Sequence, residues 1–200
     1  MEYPDYTKLE VEDWVNSLGV VFFNTLGLKE GQILLDFGCG VGNYCLPAAK
    51  VVGSKGKVYA LDKAIGNGYD PITHLIPRAK EMGLEAIITP MKTEGELAID
   101  LPDDSVDLIL LLDVLHGVME QDSPQQPNSL RMLMQEFSRV LRDGGRFLLT
   151  IHHLEATKFS LEEIIAEIRC LFDSMENKRI TMLHWDFLRE EMLYIFSKNS

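Results

Sequence analysis

The segment Ile33-Leu34-Leu35-Asp36-Phe37-Gly38-Cys39-Gly40-Val41-Gly42 constrains the fold more than any other part of the chain. An apolar run that reads as a strand ends in an acid and opens into glycines at every second position. Each missing Cβ removes a steric wall, so the backbone can turn tightly and approach a ligand closely. A second apolar run, Lys57-Val58-Tyr59-Ala60-Leu61, ends at Asp62. That acid follows the last glycine by roughly 20 residues, the offset at which doubly wound α/β folds set a carboxylate on a ribose. Together the two features predict a strand, turn, helix and strand that hold a nucleoside.

The glycine spacing narrows the choice of nucleoside. In a dinucleotide fingerprint counted from Gly38 and Gly40 the third glycine would stand where Asn43 is, and Gly42 comes one place too early. A P-loop needs Lys and then Ser or Thr after its glycines, and Asn43-Tyr44 occupy that place. A Tyr-x-x-x-Lys spacing at Tyr59 and Lys63 raises a nicotinamide-dependent reductase as an alternative. That pairing, however, requires a helix to bring i and i+4 together, and these residues flank a strand end.

With 200 residues, 46% hydrophobic and 25% charged, the chain is sized for one α/β domain. The expected organisation is a single domain over residues 1–200, with lead-in or lid helices in 1–30 and the core in 31–200. The net charge of −12 and the lack of a Lys/Arg cluster argue against a nucleic-acid partner. Lys55, Lys57, Arg139 and Arg142 read as solvated charges at loops and helix ends. Cys39, Cys45 and Cys170 form no C-x-x-C pair, and the N-terminal residues carry neither a basic nor an apolar signal. A reducing, cytoplasmic setting is expected. The longest apolar run, around Leu108 to Leu112, falls far short of the roughly 20 residues that span a bilayer.

Periodicity supplies the remaining elements. A helix is expected from about Asn43 to Val52, a helix from Pro71 capped by Asp70, strands over 85–90, 106–113 and 146–151, and an amphipathic helix through Leu130, Leu133, Met134, Phe137, Val140 and Leu141 that Gly144-Gly145 ends. Ser160 caps a further amphipathic helix through Ile164 and Ile168. The alternation around Ile180–Trp185 and Met192–Phe196 predicts a closing hairpin. Before the glycine turn, Gly19 and Gly27 are expected to break one or two lead-in helices. Gly66 to Tyr69 reads as a loop beside the nucleoside.

With its acid and alternating glycines, the acid closing its second strand, and the later segments Pro102-Asp103-Asp104-Ser105-Val106-Asp107, Leu115-His116-Gly117-Val118 and Arg139-Val140-Leu141-Arg142-Asp143-Gly144-Gly145, the chain resembles the class I S-adenosylmethionine-dependent methyltransferases. In motif style it is closest to the small-molecule branch of quinone C-methyltransferases and arsenite methyltransferases. The resemblance implies a mostly parallel, doubly wound seven-stranded sheet with an antiparallel last strand and helices on both faces. It implies S-adenosylmethionine as cofactor, S-adenosylhomocysteine as product and a small-molecule acceptor. Gly38, Gly40 and Gly42 would admit the methionine part, with Asp36 organising the turn and helping receive the amino group. Asp62 would take the ribose hydroxyls, and Lys63 and Ala64 would lie along the adenine. Glu94, in preference to Glu96, would meet the adenine amino group, where the family commonly has aspartate. Asp113 would pass the methionine moiety.

The acceptor side is less defined by sequence. His116 is a candidate for facing the acceptor, with His152-His153 as a second possibility; otherwise these rings pack or lie at the surface. Tyr3, Tyr6 and Trp14 either shape the acceptor pocket or pack the lead-in helices. No metal is expected, because His152-His153 lacks the i, i+4 spacing of a helical zinc site. A non-catalytic cofactor-binding subunit or sensor is the other alternative.

Overall fold

The computed structural model describes residues 8–63, 70–120, 122–153, 157–172 and 174–198. Tyr3, Tyr6, Ala64 and the loop Gly66 to Tyr69 lie outside these residues. The strands are β1 (Ile33–Phe37), β2 (Lys57–Lys63), β3 (Ile88–Thr93), β4 (Val106–Leu111), β5 (Leu141–Leu149), β6 (Ser174–His184) and β7 (Phe187–Ser197). The helices are α1 (Leu9–Asp13), α2 (Gly19–Thr25), α3 (Cys45–Val52), α4 (Ile72–Glu81), α5 (Leu115–Val118), α6 (Asn128–Val140) and α7 (Leu161–Ile168). The seven strands form one sheet in the order β3-β2-β1-β4-β5-β7-β6, in which β7 runs antiparallel to β5. This is the mixed sheet that the resemblance implies. By contact density the chain divides into two compact units, Met1–Glu94 with Arg179–Glu191, and Gly95–Lys178 with Met192–Ser200.

In the first unit β1, β2 and β3 pair in parallel. β3 begins three residues later than the apolar pattern suggests and runs through Pro90. Because β3 is an edge strand, a missing N–H at Pro90 can point away from the ladder without cost. The lead-in helices are also not broken at Gly19. A π-helical turn at Trp14–Leu18 carries α1 into α2, and Gly19 is needed for packing: a Cβ there would lie 2.7 Å from Pro47 Cγ of α3. Trp14, 1% exposed, is packing too. It meets Phe22 and Tyr44 at 5.3 and 5.1 Å, and its Nε1 donates to the Asn43 carbonyl at 3.0 Å. The hairpin closes over the two residues Trp185 and Asp186, so Glu190 and Glu191 lie within β7 and not in the turn.

In the second unit every residue of β4 is buried, as a central parallel strand requires. Phe147 of β5 stacks on Phe196 of β7 at 4.7 Å and meets Phe172 and Phe137 edge-on, which makes an aromatic core. The Gly144-Gly145 pair does not end α6. The helix stops at Val140, and the glycines form a bulge inside β5, where pairing with β4 jumps from Val106–Leu141 to Leu108–Arg146. Ser160 caps α7 as expected, in a reciprocal capping box with Glu163. Asp122, 4% exposed, caps α6 by accepting from the Ser129 and Leu130 amides, although its segment reads as plain loop.

Arg139 is not a solvated charge. Its guanidinium donates to the carbonyls of Ile99 and Leu101 and to Glu136 and Asp103 at 2.7–2.9 Å, and the Glu136 and Asp103 carboxylates hold its pKa above the ordinary arginine value. Arg142 likewise pairs with the buried Asp107. The Asp104 and Ser105 amides donate to the Arg139 and Val140 carbonyls, so two of the sequence landmarks form one structural seam. Arg139→Ala leaves two buried carbonyls and Glu136 without their donor. It should cost about 3 kcal/mol in urea unfolding; a change below about 0.5 kcal/mol would show that the seam does not carry stability.

Candidate functional site

The site in the first unit is built where β1 and β2 end side by side. Asp36, the penultimate residue of β1, is 3% exposed. The chain leaves β1 through Gly38, Gly40 and Gly42, all with positive φ (80°, 54° and 83°). The amides of Gly38 and Cys39 both donate to the Leu61 carbonyl, which fastens the turn to β2. Asp62 closes the arrangement: its Oδ2 accepts from the Gly40 amide at 2.6 Å and its Oδ1 from the Lys63 amide at 2.7 Å. One carboxylate therefore shapes the glycine turn and keeps its remaining lone pairs for other donors.

Burial dominates the electrostatics of both carboxyls. Burial pushes the Asp36 carboxyl up to about 7, opposed by the Cys45 thiol donating to its Oδ2 at 3.1 Å and reinforced by the nearby negative charge of Asp62. Asp62 is also raised by burial, against the two amides that favour its ionised form. Burial raises the Cys45 and Cys39 thiols, so both are protonated and Cys45 is a donor. Neither Asp36 nor Asp62 is in an ion pair among the described residues.

The glycines divide by task. Among the described residues nothing lies within 4 Å of the position a Cβ on Gly40 would take, whereas at Gly42 a Cβ would lie 2.2 Å from Leu75 Cδ1 of α4. Among the described residues Gly40 thus faces no neighbour, and Gly42 makes room for a helix. On the expectation that this turn admits the methionine part of the cofactor, Gly40→Ala should keep the fold, with a left-handed backbone cost of about 1–2 kcal/mol, and should weaken S-adenosylhomocysteine binding at least tenfold. Gly42→Ala should lower the melting temperature more than it lowers affinity. Calorimetric titration and thermal unfolding of the two variants separate the roles; the reverse ranking would contradict them.

Several supporting residues were not found by sequence reasoning. Arg78 of α4 donates to the Val41 carbonyl at 2.7 Å and to Asn43 Oδ1 at 2.9 Å, and Tyr44 Oη donates to the Leu183 carbonyl at 2.5 Å. These long-range contacts leave no local pattern. Asp70 accepts from the Ile72 amide and pairs with Lys92, so it holds the start of α4, although the helix begins at Ile72 with Pro71, and not Asp70, in the cap position. The Lys63 side chain is exposed, and so are Glu94 and Glu96 beyond β3.

The second unit gathers Asp113, His116 and His153. Asp113 has φ 58° and its amide donates to Thr150 Oγ1 at 2.9 Å. His153 Nε2 lies 3.9 Å from Asp113 Oδ1, and its ring meets that of His116 edge-on at 5.2 Å between centroids.

Residues 28–197 match the methyltransferase domain family, and the chain belongs to it. This family and the order of the sheet agree with the resemblance to class I S-adenosylmethionine-dependent methyltransferases, a class whose cofactor is S-adenosylmethionine. The chain is 30% identical over 132 residues to a ribosomal RNA large subunit methyltransferase E of Alkalilimnicola ehrlichii, covering 64% of this chain and 58% of that protein. It is 30% identical over 125 residues to a 2-phytyl-1,4-naphtoquinone methyltransferase of Synechococcus elongatus, covering 62% and 48%. The chain thus spans about half the length of these curated relatives. Among solved structures it is similar to a SAM-dependent methyltransferase from Aquifex aeolicus, with a TM-score of 0.66, 21% identity and coverage of 94% and 93%.

The residues present fit the family's cofactor. A glycine turn flanked by two carboxylates that have no ion-pair partner among the described residues suits a ligand that carries a sulfonium, an ammonium and ribose hydroxyls. No helix among the described residues is long and apolar enough to cross a membrane.

Proposed function

We propose that the protein transfers the methyl group of S-adenosylmethionine to a small-molecule acceptor, with Asp36, Gly38, Gly40 and Gly42 receiving the methionine part and Asp62 the ribose. The observation that carries the reading is the open backbone at Gly40 between the two carboxylates. When bound, the cofactor supplies a sulfonium methyl for in-line displacement. The chain's own task is positioning: Asp62 fixes the turn and accepts from the ribose, and the Asp36 carboxylate draws the ammonium toward β1. Holding two reactants in line is worth roughly 7–11 kcal/mol in favourable cases, so little covalent help is required. On the same reading Lys63 borders the adenine and Glu94 meets its amino group.

A net charge of −12 supports a small acceptor over a polyanion, as does the likeness to a quinone methyltransferase. The likeness to an rRNA methyltransferase favours RNA as the second reading. Methyl-labelled cofactor offered with hydroxylated aromatics, thiols, arsenite and total RNA tests both. Label in a small molecule is the expected result, and label in RNA alone would overturn it. Cofactor binding with no transfer to any acceptor would favour a sensor.

A further inference from the structure

We infer that two copies of the chain associate through β6, the strands running antiparallel about an axis at Asn177, so that Glu176 of each copy faces the partner's Lys178. The segment that carries the inference, residues 175–178, lies within the second unit. It does not depend on the methyl transfer proposed above.

The sheet ends in two edges, and the sequence treats them differently. β3 is six residues long, lacks an amide at Pro90 and holds Lys92 in a pair with Asp70. Proline and charge blunt an edge against further pairing. β6 is eleven residues long and has no proline. It equals β7 in length and is joined to it by two residues, so His184 and Phe187 close the loop as a hydrogen-bonded pair and the alternation runs down from them. Even-numbered residues of β6 thus bond β7, whereas Leu183, Asn177 and Met175 turn their backbone groups outward. Two contacts near the loop agree with this alternation: the Leu183 carbonyl accepts from Tyr44, and the Leu188 amide on the facing strand donates to Glu10. The outward groups of Met175 and Asn177 have no such partner among the described residues. Glu176, Asn177 and Lys178 are exposed, and neither charge is in an ion pair among the described residues.

An unpaired edge is a template for another strand, and the charges decide which strand fits. In an antiparallel ladder outward-facing residues meet outward-facing residues, so the axis of a self-pairing falls on one residue. An axis at Glu176 sets that carboxylate against the partner's Glu176, and an axis at Lys178 sets two ammonium groups against each other. An axis at Asn177 sets Glu176 against the partner's Lys178 twice, while Asn177 and the partner's Asn177 exchange both backbone bonds. Unlike charges directly opposite stabilise a strand pair and like charges destabilise it. A second copy also suits the charge of the whole chain. At a net charge of −12 the surface at large repels its own kind, and association is favoured where, as at Glu176 and Lys178, the charges cancel locally.

Sedimentation equilibrium of the full chain at protein concentrations up to about 1 mM is the test. The expected result is a monomer–dimer equilibrium whose Kd rises about tenfold or more in Glu176→Lys and in Lys178→Glu, because each variant makes two like-charge pairs. The double variant that carries both substitutions restores the unlike pairs and should return to within about threefold of wild type. Unchanged melting temperatures in the two single variants show that both fold. A monomer at every concentration, a dimer indifferent to both single variants, a double variant as weak as the single ones, or growth into larger open assemblies overturns the inference.

Discussion

Asp62→Ala should weaken S-adenosylhomocysteine binding by at least a hundredfold. The carboxylate serves two purposes at once. It accepts from the Gly40 and Lys63 amides, and in the proposed role its remaining lone pairs accept from two ribose hydroxyls. Hydrogen bonds to a charged acceptor are worth about 1.5–3 kcal/mol each, so losing two removes about 3 kcal/mol or more, or two decades in Kd. Stability should respond much less, because alanine also removes a half-buried charge that burial disfavours. Asp62→Asn keeps an oxygen for the Gly40 amide and should fall between alanine and wild type. Calorimetric titration of the three proteins measures the series, and an alanine variant within threefold of wild type would refute the ribose assignment.

Affinity for the cationic cofactor should rise with pH and level off above about 7. In the ligand-free chain the buried Asp36 carboxyl is raised to about 7, and a bound ammonium favours its ionised form. Binding below that pH therefore releases a proton, and Kd should worsen by up to about tenfold per unit of acidification. The stability sign follows from the same shift. A folded-state pKa above the unfolded value near 3.8 means that the folded chain holds more protons in this window. The ligand-free protein should thus be favoured below about pH 4 and lose up to about 4 kcal/mol as pH rises to about 7. Asp36→Asn should flatten both dependences while weakening binding. Unfolding free energies and S-adenosylhomocysteine Kd values between pH 4.5 and 8.5 are the measurements, and an unchanged slope in Asp36→Asn would assign the titration elsewhere.

The parts of the fold legible in the sequence are those whose causes are local. β1, β2, the glycine turn and Asp62 follow from apolar runs, missing Cβ atoms and one fixed offset, and Ser160 with Glu163 announces α7. Local patterns failed where a distant partner decides the outcome. Gly19 looks like a helix breaker but is filled by Pro47, and Gly144-Gly145 looks like a helix stop but bulges β5 against β4. Pro90 looks like a strand end until β3 proves to be an edge. Arg139, Asp122, Leu75 and Arg78 act through residues up to 40 positions away, and one chain read alone does not reveal such pairings. Glycine spacing likewise treats Gly40 and Gly42 as equals, and only Leu75 distinguishes them.

Backbone amide NMR of the isotopically labelled chain, titrated with S-adenosylhomocysteine, most directly tests whether the glycine turn between Asp36 and Asp62 is the cofactor cradle. The account predicts saturable shifts that are largest at Gly38, Gly40, Gly42 and Lys63, with no response of these amides to NAD or NADP. Amides of the glycine turn that stay still with S-adenosylhomocysteine and move with a nicotinamide dinucleotide would contradict it.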